Sequence, residues 1–291
     1  MEVITRVIPP EEEGSTVRHI LRAKLHFSSH AISRLTRAEN GILVNGAHAR
    51  TTYILHTGDI LAVESGDHRP PKVEVIPGDW PLPVVWEDGH LLVVDKPAGM
   101  LIHPSRSRFD GTLANYVLGY YQKTGQKCAF HPVTRLDRDT FGIVLLSKNS
   151  HIHALMQASD VEKIYHALVL GHWEPDSGTI DAPIARRPLP SLLREIRADG
   201  KPSVTEYRVL ERCDSYTKLA LRPVTGRTHQ LRLHCAHMGH PILGDPQYGN
   251  EASAFGLPHQ MLCAKSLQFR HPITGEELLL ESRMDAALEK I

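Results

Sequence analysis

The densest run of chemistry-bearing side chains is Thr134-Arg135-Leu136-Asp137-Arg138-Asp139-Thr140-Phe141-Gly142, where two carboxylates alternate with two arginines just before an apolar stretch. An arginine beside a carboxylate favours its ionised form, which a nucleophile or general base requires. The same pattern also makes a salt-bridged turn. At spacing two, Asp137 and Asp139 point the same way in an extended chain, so spacing does not choose between them. A second cluster, His229, His234, Cys235, His237 and His240, has metal-ligating residue types, and a helix over Thr225–Met238 would put His234 and His237 on one face. No carboxylate or second cysteine completes a recognisable ligand set, so hydrogen-bonding histidines are preferred and no metal is expected. The chain has no G-x-G-x-x-G, Walker loop, G-x-S-x-G or H-E-x-x-H. That weighs against dinucleotide, nucleoside-triphosphate and zinc-protease chemistry, and no cofactor is expected.

Such residues need a folded scaffold, and the composition supplies one. The chain has 291 residues, 41% of them hydrophobic, with 33 cationic and 33 anionic side chains balancing to zero. These values exclude wholesale disorder. No apolar run approaches the ~20 residues that span a bilayer. The first residues lack a basic stretch followed by an apolar one, so no signal peptide is expected. Four scattered cysteines, Cys128, Cys213, Cys235 and Cys263, read as reduced thiols. Together these features predict a cytoplasmic protein with no membrane partner, and a monomer is the working expectation.

Three prolines and two glycines between Glu64 and Trp80 mark a connection, with a short strand expected at Lys72–Ile76. The chain therefore divides into residues 1–63, a linker over 64–80 and a larger unit over 81–291. In the first unit, Val17, Ile20, Leu21 and Leu25 have helical spacing. Ser28 and Ser29 can cap a second helix through Ala31, Ile32 and Leu35, on which Arg34 and Arg37 share a face. Ile42–Val44 leads into an Asn45-Gly46 hairpin turn, and strands are expected at Thr52–Leu55 and Ile60–Val63. From Gly14 to Ala62 the cations Arg18, Arg22, Lys24, Arg34, Arg37 and Arg50 outnumber the acids by four, with five histidines besides. A basic segment in a neutral protein hints at a polyanion partner, although a solvated charged face fits equally well. The larger unit shows strand-like runs at Leu91–Asp95, Gly142–Leu146, Tyr165–Leu170, Lys218–Leu221 and Glu277–Leu280, among two or three helical stretches. They do not follow regular βαβ order, so the fold class is α+β, with a mixed, largely antiparallel sheet rather than a doubly wound one.

The first unit, through its VNG and GDIL segments, resembles the ribosomal-protein-S4-like RNA-binding domain over roughly residues 15–63. In that family the second helix and hairpin form the RNA face, which implies phosphate contacts at Arg34 and Arg37. The larger unit closely resembles the RluA-type pseudouridine synthases, whose aspartate motif matches HPVTRLDRDTFGIVLLSKN at His131–Asn149. VVWEDGHLLVVDKPAGMLIHPS, VEKIYHALVLG, KPSVTEYRVLER, LRPVTGRTHQLRLHCAHMGHPILGDPQYG and HQMLCAKSLQFRHPITGEEL match further blocks in order, so the resemblance spans residues 84–280.

The resemblance implies isomerisation of uridine to pseudouridine in a flipped-out nucleotide. Asp137 matches the nucleophile, Tyr165 the tyrosine stacked on the target base, and Arg232 the basic residue paired with the aspartate. Arg135 matches the arginine that replaces or holds the flipped nucleotide, and Leu262 the apolar pocket floor; Arg227 and His229 fall in the same signature and are expected at the substrate. Thr134 and Phe141 depart from the family's usual His and Ser, a difference that could touch how the loop holds RNA. Arg186 and Arg187, in a segment over Ala182–Lys201 with five cations and two acids, are expected to contact RNA. The expected partner is RNA, with large-subunit ribosomal RNA first and tRNA second. A non-catalytic ribosome-assembly factor and a histidine-cluster hydrolase are the competing readings, and both rank below the synthase.

Overall fold

The computed structural model describes residues 3–25, 27, 29–64, 75–105, 108–188, 190–191 and 193–289. Ser28, and Lys72–Glu74 of the expected linker strand, lie outside these residues. Three buried hydrophobic clusters are present among the described residues, one in the first unit and two in the larger. The first unit's cluster gathers Ile8, Val17, Ile20, Leu21, Leu35, Ile42, Leu55, Leu61 and Val63. Around it stand β1 (Val3–Val7), α1 (Val17–His19, continued by a π turn over Ile20–Lys24), α2 (Ser29–Leu35), β2 (Ile42–Val44), β3 (Ala47–His48) and β4 (Ile60–Glu64). The sheet order is β1-β4-β2-β3. Asn45 and Gly46 both take positive φ (53° and 82°) in the β2–β3 turn, as the Asn-Gly dipeptide requires.

Two features differ from the sequence reading. Val3–Val7 is a strand, seated antiparallel on β4. Thr52–Leu55 is not one. Its neighbourhood instead serves the start of α1, where the N–H groups of Val17 and Arg18 donate to the carbonyls of Tyr53 and Thr51. Those N–H groups have no intrahelical acceptor, so a passing loop satisfies them.

The larger unit carries the other two clusters and one broad sheet. Its strands are β5 (Val84–Glu87), β6 (Leu91–Lys96), β7 (His131–Pro132), β8 (Phe141–Ser147), β9 (Val161–Leu170), β10 (Ser177–Asp181), β11 (Ile184–Arg186), β12 (Arg194–Ile196), β13 (Val204–Arg212), β14 (Tyr216–Pro223), β15 (Leu262–Arg270) and β16 (Glu277–Glu281). The sheet order is β10-β13-β14-β9-β15-β8-β6-β5, with β16 on β15 and β7 on β8. Of its named pairings only β15–β8 is parallel, so the α+β class with a largely antiparallel sheet holds. Helices α3 (Leu113–Lys123), α4 (Ser150–Ala158), α5 (Gln230–His237) and α6 (Glu251–Ala254) complete the unit. The helix expected over Thr225–Met238 starts only at Gln230. β11 and β12 pair as a small hairpin outside the main sheet. Between the two units, the Phe27 ring stacks on His151 at 4.0 Å and 15°.

Strands β8, β15 and β9 position the site. β8 is buried along its whole length, which is why it reads as an unbroken apolar run rather than an alternating one. Ala264 of β15 lies opposite Gly142 on one side and Tyr165 on the other. Gly142 has φ 107°, and a Cβ there would sit 2.4 Å from the Ala264 carbonyl oxygen. Only glycine fits such a close approach. The loop ending at Gly142 therefore delivers Asp137 to the central part of the sheet that carries Tyr165.

Candidate active site

A cleft of about 650 Å³ is lined by Arg135, Asp137, Tyr165, Arg227, His229, Arg232 and Leu262, so the seven residues singled out there in sequence come together. Arg232 Nη1 donates to Asp137 Oδ2 at 3.2 Å. His229 Nε2 stands 3.9 Å from the same oxygen. The ambiguity between the two aspartates is resolved by their partners. Asp139 is held by the adjacent Arg138, whose Nε and Nη2 donate to its two oxygens at 2.9 and 2.7 Å, while Asp137 faces the cleft.

Arg232 is fixed from behind. Its Nε and Nη2 donate to Asp245 at 2.7 Å each, and Nη2 also reaches Gln247 Oε1 at 2.9 Å. The Asp245 side chain is fully enclosed and also accepts from the backbone N–H groups of Gln247 and Tyr248. Burial opposes the charge on both partners. Their mutual hydrogen bonds prevail, leaving Asp245 below the usual carboxylate range and Arg232 above its ordinary value. A bidentate fork of this kind sets the plane of the guanidinium, and that plane aims Nη1 at Asp137.

The start of α5 is unusual. His229 occupies its N-cap with φ 58° and ψ 18°, a left-handed conformation rare outside glycine and asparagine. Gln230 pins the loop before it: its Oε1 accepts from Thr225 Oγ1 and Arg227 N, and its Nε2 donates to Val204 O and Thr205 Oγ1. This network delays the start of the helix by five residues relative to the sequence expectation, because the side chain of Gln230 takes up the loop's polar groups. Arg227 is exposed, with Nε donating to Pro202 O at 3.1 Å. Arg135 is exposed on the cleft wall. Tyr165 is buried, and burial pushes its phenol pKa up; Leu262, 3% exposed, packs beside it.

Thr134 and Phe141 both turn inward. Thr134 Oγ1 accepts from Leu145 N at 2.9 Å, and Phe141 packs with Leu168, Leu243, Met261 and Cys263. Both side chains are buried, and Thr134 also forms part of the cleft lining. The histidines of the second cluster disperse. His234 uses both ring nitrogens, on Thr205 Oγ1 and Ala182 O, and His240 bonds Leu170 O.

Sequence reading missed Asp245, Gln247, Tyr248, Gln230 and Lys96. All five lie within the quoted signature blocks, but their roles depend on contacts across the fold. Lys96 has a fully buried side chain whose Nζ donates to the carbonyls of Pro97, Met100 and Arg138. It ties the loop after β6 to the residue next to Asp137. Burial draws its pKa down to about 7, opposed by Asp139 and Asp137.

The basic residues of the smaller unit sort into two groups. Arg18, Arg22 and Arg37 line an open pocket of about 370 Å³ with Ser29, Ser33, Thr36 and Thr51. Lys24 instead turns toward Glu12 at 4.0 Å. Arg50 is exposed and Arg34 half-buried, neither lining that pocket. In the β11–β12 hairpin Arg186 is exposed, while Arg187 lies 3.7 Å from Glu195 and Arg197 pairs with both Glu195 and Asp199. The segment's excess charge is thus partly neutralised within itself. All four cysteines are free. Among the described residues, no helix is long and apolar enough to cross a membrane.

Comparison with known proteins identifies the family. Residues 90–237 match the family model described as RNA pseudouridylate synthase. An RNA pseudouridine synthase of Bacillus subtilis, YjbO, is 34% identical over 92% of this chain and 95% of its own. Ribosomal large subunit pseudouridine synthase D of Pseudomonas aeruginosa is 36% identical over 94% of this chain and 90% of its own. Among solved structures, human RNA Pseudouridylate Synthase Domain Containing 1 superposes with a TM-score of 0.58 at 26% identity, covering 74% of this chain and 98% of its own. A family model matched over half the chain, and relatives above 30% identity along nearly all of it, establish that this protein belongs to the RluA-type RNA pseudouridine synthases and is an isomerase.

Proposed function

We propose that Asp137 is the nucleophile of a reaction on uridine in large-subunit ribosomal RNA. The observation that carries this reading is the Arg232–Asp137 pair at 3.2 Å, set on the cleft wall beside Tyr165 and Leu262. In the reaction a carboxylate oxygen of Asp137 bonds to the sugar C1′ as the N1–C1′ bond breaks, its electron pair staying on uracil. The base turns in the cleft, C5 bonds to C1′ and displaces Asp137, and the C5 proton is lost while N1 gains one. Atoms and charge balance with no external reactant. The target must leave its stack, at a cost of a few kcal/mol. Stacking on Tyr165 returns roughly 1–3 kcal/mol of that. Arg135, Arg227 and His229 contact the flipped nucleotide and its flanking phosphates.

Residues 1–63 act as the S4-like RNA-binding unit. Arg18, Arg22 and Arg37 hold phosphates at the open pocket, with Arg34 and Arg50 nearby in the fold and Lys24 in a lesser part. Exposed Arg186 and neighbouring Arg187 on the hairpin add contacts close to the cleft. Phosphate contacts of this kind set register, and sequence is read by the flipped base and its neighbours. The choice of ribosomal RNA rests on relatives named ribosomal large subunit pseudouridine synthase C and D, and a cytoplasmic place of action fits that substrate. The test is to incubate the protein with unmodified ribosomal RNA and, separately, bulk tRNA, and to map pseudouridine by carbodiimide-dependent primer-extension stops. New stops in large-subunit RNA are expected. Stops in tRNA alone would reassign the substrate, and binding without stops in either would favour the assembly-factor reading.

A further inference from the structure

The hydroxyl of Tyr248 lies within hydrogen-bond distance of two groups. Arg194 N donates to Oη at 2.9 Å, and His229 Nδ1 is also 2.9 Å away. The backbone N–H can only donate, so of these two groups only Nδ1 can accept the phenol proton. A His229 that accepts at Nδ1 carries its own proton on Nε2, the nitrogen 3.9 Å from Asp137 Oδ2. The Tyr248 ring also stands under Arg232, whose Cζ is 5.1 Å from the ring centroid. One side chain thus touches both groups that face Asp137, and the β11–β12 hairpin holds it through Arg194.

We propose that Tyr248 is a positioning residue for the isomerisation: it fixes His229 as the Nε2–H tautomer, so that an N–H donor is presented to the Asp137 carboxylate or to a nucleotide atom bound against it. The inference deepens the Asp137 reading and rests on it. The gap of 3.9 Å must shorten by about 1 Å to become a hydrogen bond, a change within reach when substrate fills the cleft. The left-handed backbone of His229 fits this role. Strain of that kind persists where surrounding contacts over-determine it, and Tyr248 and Gln230 are those contacts. Because the hairpin supplies the third partner of Tyr248, RNA seated on the hairpin and the tautomer of His229 are mechanically linked.

His229 is faced by Asp137 before β8, Arg232 on α5, Arg194 on β12, and Asp245 and Tyr248 after α5; burial depresses its pKa below the ordinary histidine range. A donor on Nδ1 stabilises the neutral ring further, so removing the phenol hydroxyl raises that pKa. Tyr248→Phe keeps the ring under Arg232 and removes only the hydroxyl. It is expected to leave RNA affinity unchanged and to lower the single-turnover rate about tenfold, the effect of one hydrogen bond. A rate identical to wild type would overturn the proposal, as would a lower rate with the His229 tautomer unchanged, which marks a merely structural role.

A second measurement does not depend on activity. Long-range proton–nitrogen NMR of histidine-labelled protein at pH 8, with His229 assigned by its absence in His229→Gln, reads the tautomer directly. The Nε2–H form is expected in the wild type and a mixture in Tyr248→Phe. An Nδ1–H tautomer in the wild type overturns the proposal whatever the role of Asp137. Turnover retained by Asp137→Asn instead defeats the reading on which the proposal rests.

Discussion

Replacing Asp245 by Asn separates the support of the site from the site itself. The substitution preserves volume and one acceptor, but turns an NH₂ group toward a guanidinium nitrogen that now donates to carboxylate at 2.7 Å. Donor then faces donor in a place where the Asp245 side chain has no exposure and Arg232 only 5%. Stripping a buried ion of its partner costs about 3–5 kcal/mol. Asp137 and Gln247 still hold two N–H groups of Arg232, which puts the expectation at the lower end, about 3 kcal/mol. For a unit of this size, at ~2–4 °C per kcal/mol, Tm falls by roughly 6–12 °C. Asp137→Asn is the internal reference: its side chain is 29% exposed, and a partly exposed pair contributes about 1 kcal/mol or less.

The pH dependence has a definite sign. Burial alone would raise the Asp245 carboxyl, but Arg232 and two backbone N–H groups reverse this and depress it. A depressed carboxyl contributes stability above its unfolded pKa, about 3.9, and loses it as pH falls through the lower folded value. The gap between wild type and Asp245→Asn is therefore constant from pH 5 to 8 and closes only in stronger acid. Calorimetric melting at pH 5, 6, 7 and 8 checks both claims. A fall in Tm under 2 °C, or a gap that closes between pH 5 and 7, would refute the reasoning.

Lys96→Met leaves three carbonyls, that of Met100 buried, without their shared donor; a loss of about 2–3 kcal/mol by urea melting and a lower turnover at saturating RNA are expected, because the carbonyl of Arg138 adjoins Asp137. Tyr165→Leu keeps the pocket wall apolar but removes the aromatic face; loss of roughly 1–3 kcal/mol of stacking predicts a fall of about 5- to 150-fold in kcat/KM, measured under steady-state conditions. Reversing charge at Arg186 and Arg187 together is expected to weaken RNA binding and reduce the slope of log K against log[salt] by about 1.5 if both touch phosphate; filter binding across a salt series reads it, and an unchanged slope removes the hairpin from the RNA surface.

Local signals carried the parts of the fold that are locally determined. The Asn45-Gly46 turn and the apolar runs that became β6, β8, β9, β14 and β16 were legible because turn chemistry and buried strands leave marks in adjacent residues. Val3–Val7 escaped because its alternation is weak and its pairing partner, β4, lies over fifty residues away. Thr52–Leu55 has strand-like residues but spends the Tyr53 carbonyl on the start of α1 and that of Leu55 on Gly14 N, a competition no local pattern reveals. Asp137 could be singled out from Asp139 by resemblance alone. The physical distinction, Arg138 occupying Asp139 while Arg232 faces Asp137, appears only when α5 packs near the β8 loop. Asp245 and Tyr248 were invisible for the same reason: their significance is a contact with Arg232 and His229, not a residue type. The basic count over Ala182–Lys201 overstated free charge, since Glu195 and Asp199 draw Arg197, and Glu195 also approaches Arg187.

The central claim is that Asp137 acts on the target nucleoside, and the reaction itself supplies the readout, because C5 of the base loses its proton. Transcripts of large-subunit ribosomal RNA carrying tritium at uridine C5 release it to solvent only when C5 becomes the glycosidic carbon. Wild-type protein is expected to release a stoichiometric amount per modified site, and Asp137→Asn none above background while it binds the RNA with unchanged affinity. Tritium release by Asp137→Asn at the wild-type rate would contradict the account.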